Sequence, residues 1–151
     1  MYSKNNKHWF LGLLVFIVFA GTLLGQQVKL NAGQVMRPGL SSVISLNVIR
    51  KDITGPVQCT FDLPQDWRLD KYYTNDLVRV EQKGTKATLS WLEFPMMDTL
   101  SYDVQVYVPQ DQAQNTVQIG ATLYYFNSSG KLIAIRANDI SVRVMKYFSR
   151  Y

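Results

Sequence analysis

Histidine and cysteine are almost missing from this chain: His8 and Cys59 are single instances in 151 residues. His8 lies in an amino-terminal stretch that reads as a targeting segment, so the part expected to fold holds no imidazole. Histidine is the commonest general base near neutral pH. Its absence removes Ser-His-Asp and Cys-His catalysis, and with them His-containing zinc and facial-triad iron sites. One cysteine excludes an internal disulfide framework and a cysteine-rich zinc site. Glutamate is scarce as well, with only Glu81 and Glu93. Nothing in the spacing pairs them, or the nine aspartates, into the two carboxylates roughly 5–10 Å apart that glycoside cleavage requires.

Other catalytic and ligand-binding patterns are equally thin. Gly33, Gly39 and Gly55 are isolated turn residues and form no phosphate loop. Asp62, Asp66 and Asp70 are spaced by four without the close interleaving of a calcium loop, and read as solvated acids. Ser128-Ser129-Gly130-Lys131 has S-x-x-K spacing, but it lies in a glycine-containing hairpin turn. The helical turn that would bring the amine to the hydroxyl is missing. The expectation is a chain with no enzymatic activity, no cofactor and no metal.

What is present is apolar: 47% hydrophobic and 13% aromatic residues, enough to exclude disorder in a chain long enough for one domain. Lys4 and Lys7 precede an uninterrupted apolar run from Trp9 to Ala20, and Gly25 closes it before the polar Gln26-Gln27. Basic flank, apolar middle and small exit residue make residues 1–25 a secretory signal peptide, with cleavage expected after Gly25. The 17 residues from Trp9 to Gly25 also reach the short limit of a membrane span, which leaves an uncleaved anchor as the alternative. Membrane contact through residues 9–25 belongs to that alternative alone. No cysteine follows the run, so a lipid anchor is not expected. Either way, residues 26–151 are expected outside the cytoplasm, in the periplasm or on the cell surface.

Past residue 40 the dominant period is two. Ile44, Leu46 and Val48 alternate with polar residues, as do Val57, Cys59 and Phe61, then Ala87, Leu89 and Trp91. The same holds for Tyr102, Val104, Val106 and Val108, for Val117 through Tyr125, and for Ile140, Val142 and Val144. Such alternation describes strands with one buried and one wet face. Cys59 shares the apolar face of its run and is expected to be a core thiol. Shorter candidates are Val28–Leu30, Leu77–Gln82 and Lys131–Arg136, separated by turn signals at Gly33, Pro38-Gly39, Gly55-Pro56, Lys83-Gly84, Pro95, Pro109 and Asn127–Gly130. Phe126 to Leu132 reads as a hairpin, with Gly130 available for a positive φ. About nine short strands and no helical period make residues 26–151 a single antiparallel β-sandwich.

Removing Lys4 and Lys7 leaves 14 basic residues against 11 acidic, a mild excess. Lys131, Arg136, Arg143, Lys146 and Arg150 face only Asp139 in the last 21 residues, which reads as a solvated basic face. Basic and aromatic residues do not interleave on any one strand, so nucleic acid is not an expected partner. The aromatic residues carry the binding candidates. Trp67, Tyr72 and Tyr73 fall in an irregular segment, while Tyr107 and Tyr124 occupy the wet side of their strands. Exposed rings of this kind stack on sugars or anchor a protein interface.

Residues Thr54–Trp67, ending Leu63-Pro64-Gln65-Asp66-Trp67, resemble the strand-then-LP-x-x-W/F segment of cohesin-like and immunoglobulin-like modules. Ala87–Pro95, with Trp91 before Pro95 and then Tyr102-Asp103-Val104, resembles a second segment of such modules. Together they resemble small exported sandwich proteins of Bacteroidota cell envelopes. The resemblance implies an immunoglobulin-like or cohesin-like fold and a role in adhesion, scaffolding or an envelope complex for assembly, secretion or gliding, with an envelope protein as partner. It also implies that Asp98-Thr99-Leu100 fits the pattern glycosylated on threonine in such bacteria, making Thr99 a candidate modification site. The alternative reading is a carbohydrate-binding module that uses Trp67, Tyr72 and Tyr73 as stacking platforms for a glycan.

Overall fold

The computed structural model describes residues 27–49, 53–70, 78–93 and 99–146. Among them run eleven strands and no helix. In chain order these are β1 (Gln27–Ala32), β2 (Val35–Met36), β3 (Ser41–Ile49), β4 (Thr54–Asp62), β5 (Arg68–Asp70) and β6 (Val78–Lys83). They continue as β7 (Lys86–Trp91), β8 (Thr99–Tyr107), β9 (Thr116–Phe126), β10 (Leu132–Arg136) and β11 (Ile140–Val144).

Two sheets result. The first has the order β1-β3-β8-β5. The second has the order β2-β11-β9-β4-β7-β6, with β10 pairing the far half of β9 beyond β11. All pairings are antiparallel except the two-residue β2–β11 contact. The chain therefore crosses from the first sheet to the second between β1 and β2, around Gly33.

The expected alternation sets the core. Ile44, Leu46 and Val48 of β3, Val57, Cys59 and Phe61 of β4, and Ala87, Leu89 and Trp91 of β7 are all buried. So are Val104 and Val106 of β8 and the five inward residues of β9 from Val117 to Tyr125. Each large side chain so removed from water contributes about 1.5–3 kcal/mol. Burial also pushes the Cys59 thiol far above its usual pKa, so it is an inert core group.

Eleven strands replace the nine expected. The additional two, β2 and β5, span two and three residues, too few to display a period. The hairpin expected from Phe126 to Leu132 is present: Asn127 N–H donates to Lys131 O at 3.0 Å, and Gly130 has φ of 74°. Beside this hairpin, at the start of β4, Gly55 (φ 75°) and Pro56 sit in a bulge that shifts the register against β9.

Two side-chain amides join the sheets along their open sides. Asn138, just past β10, accepts from Leu30 N–H at 3.0 Å and donates to Leu30 O at 3.2 Å, matching the backbone groups of β1 as a strand would. On the opposite side, Gln82 of β6 accepts from Leu69 N–H at 2.9 Å and donates to Trp67 O at 2.6 Å.

Candidate binding surface

The residues singled out from sequence do not converge. Trp67 is buried (1% exposed), and its indole N–H donates to Gln112 Oε1 at 2.7 Å. It cannot be the surface stacking platform that its irregular segment suggested. The turn from Pro64 to Trp67, closed by Trp67 N–H to Pro64 O and with Asp66 at φ 64°, folds the indole inward over the end of the core. Tyr107 lies half-buried on the first sheet, its ring covered by the Arg68 guanidinium at 4.4 Å. Tyr124 stands on the outer face of the second sheet. Tyr72 and Tyr73 lie outside the described residues, as do residues 1–26 and Asp98. Thr99 opens β8 opposite Ile49 and is exposed.

Several polar groups considered for chemistry have structural occupations. Asn127 Oδ1 accepts from Ser129 N–H, Ser129 Oγ and Lys131 N–H, so the S-x-x-K serines and lysine belong to a hairpin turn. Asp70 accepts from Ser41 Oγ at 2.9 Å. Asp62 is paired with Lys86 and Arg136, and Arg136 reaches Asp139 at 2.7 Å. Burial pushes the Asp62 carboxyl up, but the hydrogen bonds from Lys86 and Arg136 outweigh it and hold the group below its usual range. Among the described residues no cluster of His, Cys, Asp and Glu is placed to hold a metal ion.

Two surface features remain. One is a cavity of about 370 Å³ at the end of the sandwich, walled by Gln65, Asp66, Asp111, Gln112, Gln114 and Gln118. The other is an apolar stripe on the outer face of the second sheet. There Phe126 faces Leu132 and Tyr124 faces Ala134 across the β9–β10 pair. Tyr124, Phe126 and Leu132 are 36%, 45% and 56% exposed. Only Tyr124 of this stripe was apparent from sequence, because the β9–β10 register that brings the others beside it depends on the length of the hairpin loop.

The hairpin also fixes which way the β10 backbone points. Asn127 N–H bonds to Lys131 O and Ala137 N–H to Ala121 O. By alternation, Ile133 and Ile135 turn their N–H and C=O groups toward β9, while Leu132, Ala134 and Arg136 turn theirs to the outer edge. Among the described residues, no strand pairs with that edge. A groove of about 510 Å³ runs between it and β1, lined by Gln27, Val28, Lys29, Asn31, Ile135 and Asn138 among others.

No known protein family matches the sequence, and no curated protein does. Solved structures do match. BcpA, the major pilin subunit of Bacillus cereus, superposes with a TM-score of 0.59 at 14% identity, over 80% of this chain and 40% of the pilin chain. A single-residue variant of the same pilin gives 0.61 at the same identity and coverage. The chain thus spans less than half the length of that pilin. A collagen-binding domain from a Staphylococcus aureus adhesin also matches, at 11% identity over 74% of this chain and 96% of the domain, with a TM-score of 0.43. The fold is an immunoglobulin-like β-sandwich.

Proposed function

We propose that this protein is a non-catalytic, exported module that binds or scaffolds other proteins of the cell envelope. The observation that carries the reading is that an exposed apolar stripe and a strand edge with which no described strand pairs occur on the same hairpin. That combination supplies both contact area and main-chain hydrogen bonds to a partner. On the outer face of the same sheet, Asp62 of β4 is engaged in ion pairs with Lys86 of β7 and Arg136 of β10, and Arg136 also with Asp139. The immunoglobulin-like fold shared with a pilin subunit agrees with a surface role. The finer reading adds a Bacteroidota origin, a cleaved signal at residues 1–25 ahead of one domain at 26–151, and membership of an assembly, secretion or gliding complex.

Affinity capture of the full chain from detergent extracts tests the proposal. A partner recovered in fixed stoichiometry by the native chain and lost with Phe126→Asp supports it. Equal recovery by both, or turnover of a substrate by the purified chain, overturns it. Thr99, exposed at the head of β8, is proposed as an O-glycosylation site, and an unmodified Thr99 peptide in mass analysis of the exported protein removes it.

The alternative of a carbohydrate-binding module rests now on the amide-walled end cavity, whose Gln and Asp side chains have the donors and acceptors that sugar hydroxyls require. Glycan-array binding lost in Gln114→Ala would favour it.

A further inference from the structure

The partner that the open β10 edge fits best is a second copy of this chain. We propose that two copies pair β10 to β10 in antiparallel fashion about a two-fold axis at Ala134, joining their second sheets into one. This rests on the binding-module reading and names its partner.

The four sides of the sandwich differ in how their backbone edges are treated. On β1, Leu30 presents its N–H and C=O to Asn138. On β5, Leu69 N–H is taken by Gln82. β6 carries Arg79, Glu81 and Lys83, charges of the kind that blunt an edge. β2 has only two residues. β10, by contrast, reads Leu-Ile-Ala-Ile-Arg, with no charge until its last residue. The guanidinium of that residue, Arg136, is already held by Asp62 and Asp139.

Self-pairing at Ala134 suits this edge in register, packing and charge. The outward residues Leu132, Ala134 and Arg136 meet Arg136, Ala134 and Leu132 of the other copy, so the three outward N–H and three outward C=O groups of each strand, which no described strand takes, are satisfied together. Ile133 then faces Ile135 of the second copy in non-hydrogen-bonded positions, where side chains approach most closely. Both isoleucines are half-buried in the single chain and packed against the core, and Ile135 also lines the groove beside β1. No like charges oppose one another, because Lys131 comes opposite Ala137 and Arg136 opposite Leu132. On the outer face the row becomes Tyr124–Ala134–Ala134–Tyr124, with small residues at the seam beneath two exposed rings.

Cysteine cross-linking of the full-length chain in detergent tests the pairing. In the proposed register the two Ala134 Cα atoms stand about 5.5 Å apart, within disulfide range. Native Cys59 is buried and does not compete. Ala134→Cys should give at least tenfold more disulfide-linked dimer under mild oxidation than Leu92→Cys, an 83% exposed control on another part of the surface. Adding Leu132→Lys, which sets a lysine opposite Arg136 of the other copy, should cut the yield at least fivefold. Equal yields from the two cysteines, or a yield unmoved by Leu132→Lys, overturn the pairing. If Ala134→Cys stays monomeric while a different chain co-purifies and is lost with Phe126→Asp, self-pairing falls and the binding-module reading stands. If neither partner appears, both fall.

Discussion

Substituting Gly120 by alanine should destabilise the native chain yet stabilise one that lacks Arg136. Gly120 lies in β9 with Ile119 and Ala121 on either side, and the Arg136 guanidinium and the Asp139 carboxylate occupy the space where a Cβ would stand. A Cβ there would overlap both groups, so the guanidinium has to lift off the sheet. Arg136 would then lose its pairs with Asp62 and Asp139 and its contact with the Thr122 hydroxyl at 3.3 Å. These groups are partly exposed, and pairs of this kind contribute about 0–1 kcal/mol each. The network loss is therefore about 1–2 kcal/mol. Alanine returns roughly 0.5–1 kcal/mol, because a glycine within a strand loses more backbone entropy on folding. Gly120→Ala should thus cost about 1 kcal/mol in the native background. With Arg136→Ala already present, only the Asp139 carboxylate, no longer held by the guanidinium, has to turn aside, and the change should be neutral or stabilising by about 0.5 kcal/mol. Equilibrium urea unfolding, followed through the buried Trp67 and Trp91, measures both arms of this cycle. The same cost in both backgrounds would refute the reasoning, because the damage would then lie in the backbone.

The same network sets an acid response. The Asp62 carboxyl is held below its ordinary value of 3.8 in the folded chain, so its contribution is present above that pH and disappears as pH falls through the lowered value. Urea midpoints should therefore drop below about pH 4, and Asp62→Asn should flatten part of that decline; an unchanged slope would exclude Asp62 as its source. Asn138→Ala should cost about 1–2 kcal/mol and speed hydrogen exchange of the Leu30 amide, with Asn138→Asp milder because it keeps the acceptor. Trp67→Ala should cost about 3–5 kcal/mol, and Trp67→Phe only about 1 kcal/mol for the lost bond to Gln112, as thermal unfolding would report. Cys59 should resist alkylation in the folded chain and react only on unfolding, at a rate that follows urea concentration.

The strands that sequence reveals are those whose period is long enough to count. β3, β4, β7 and β9 each present at least three inward residues in strict alternation, and every one of those residues is buried. β2 and β5 escape notice because a period cannot be read from two or three residues; they exist because β11 and β8 offer them an edge. Trp67 misleads for a related reason. Its segment looks irregular, but its burial is settled by Gln112, 45 residues away, and by Gln82 across the sheets. Tyr124 was legible as an outward residue of β9, whereas Phe126 and Leu132 become a surface only when a five-residue loop sets their register.

The treatment of the edges connects this fold to its proposed role. A two-layer sandwich that does not close into a barrel must leave strand edges at its sides, each an opportunity for unwanted association. Here one amide on each side, Asn138 and Gln82, occupies backbone groups that would otherwise face solvent, and β6 adds alternating charge. These devices lie on two segments distant in sequence, β6 and the turn after β10, and all of them spare the outer edge of β10. Had β10 only to complete the core, a lysine or glutamate at Leu132 or Ala134 would serve equally, since both side chains point outward. Instead both are apolar, next to Phe126 and Tyr124. Among the described residues β10 is an edge without such a device, beside the exposed Tyr124 and Phe126, which is the arrangement the proposed binding role requires.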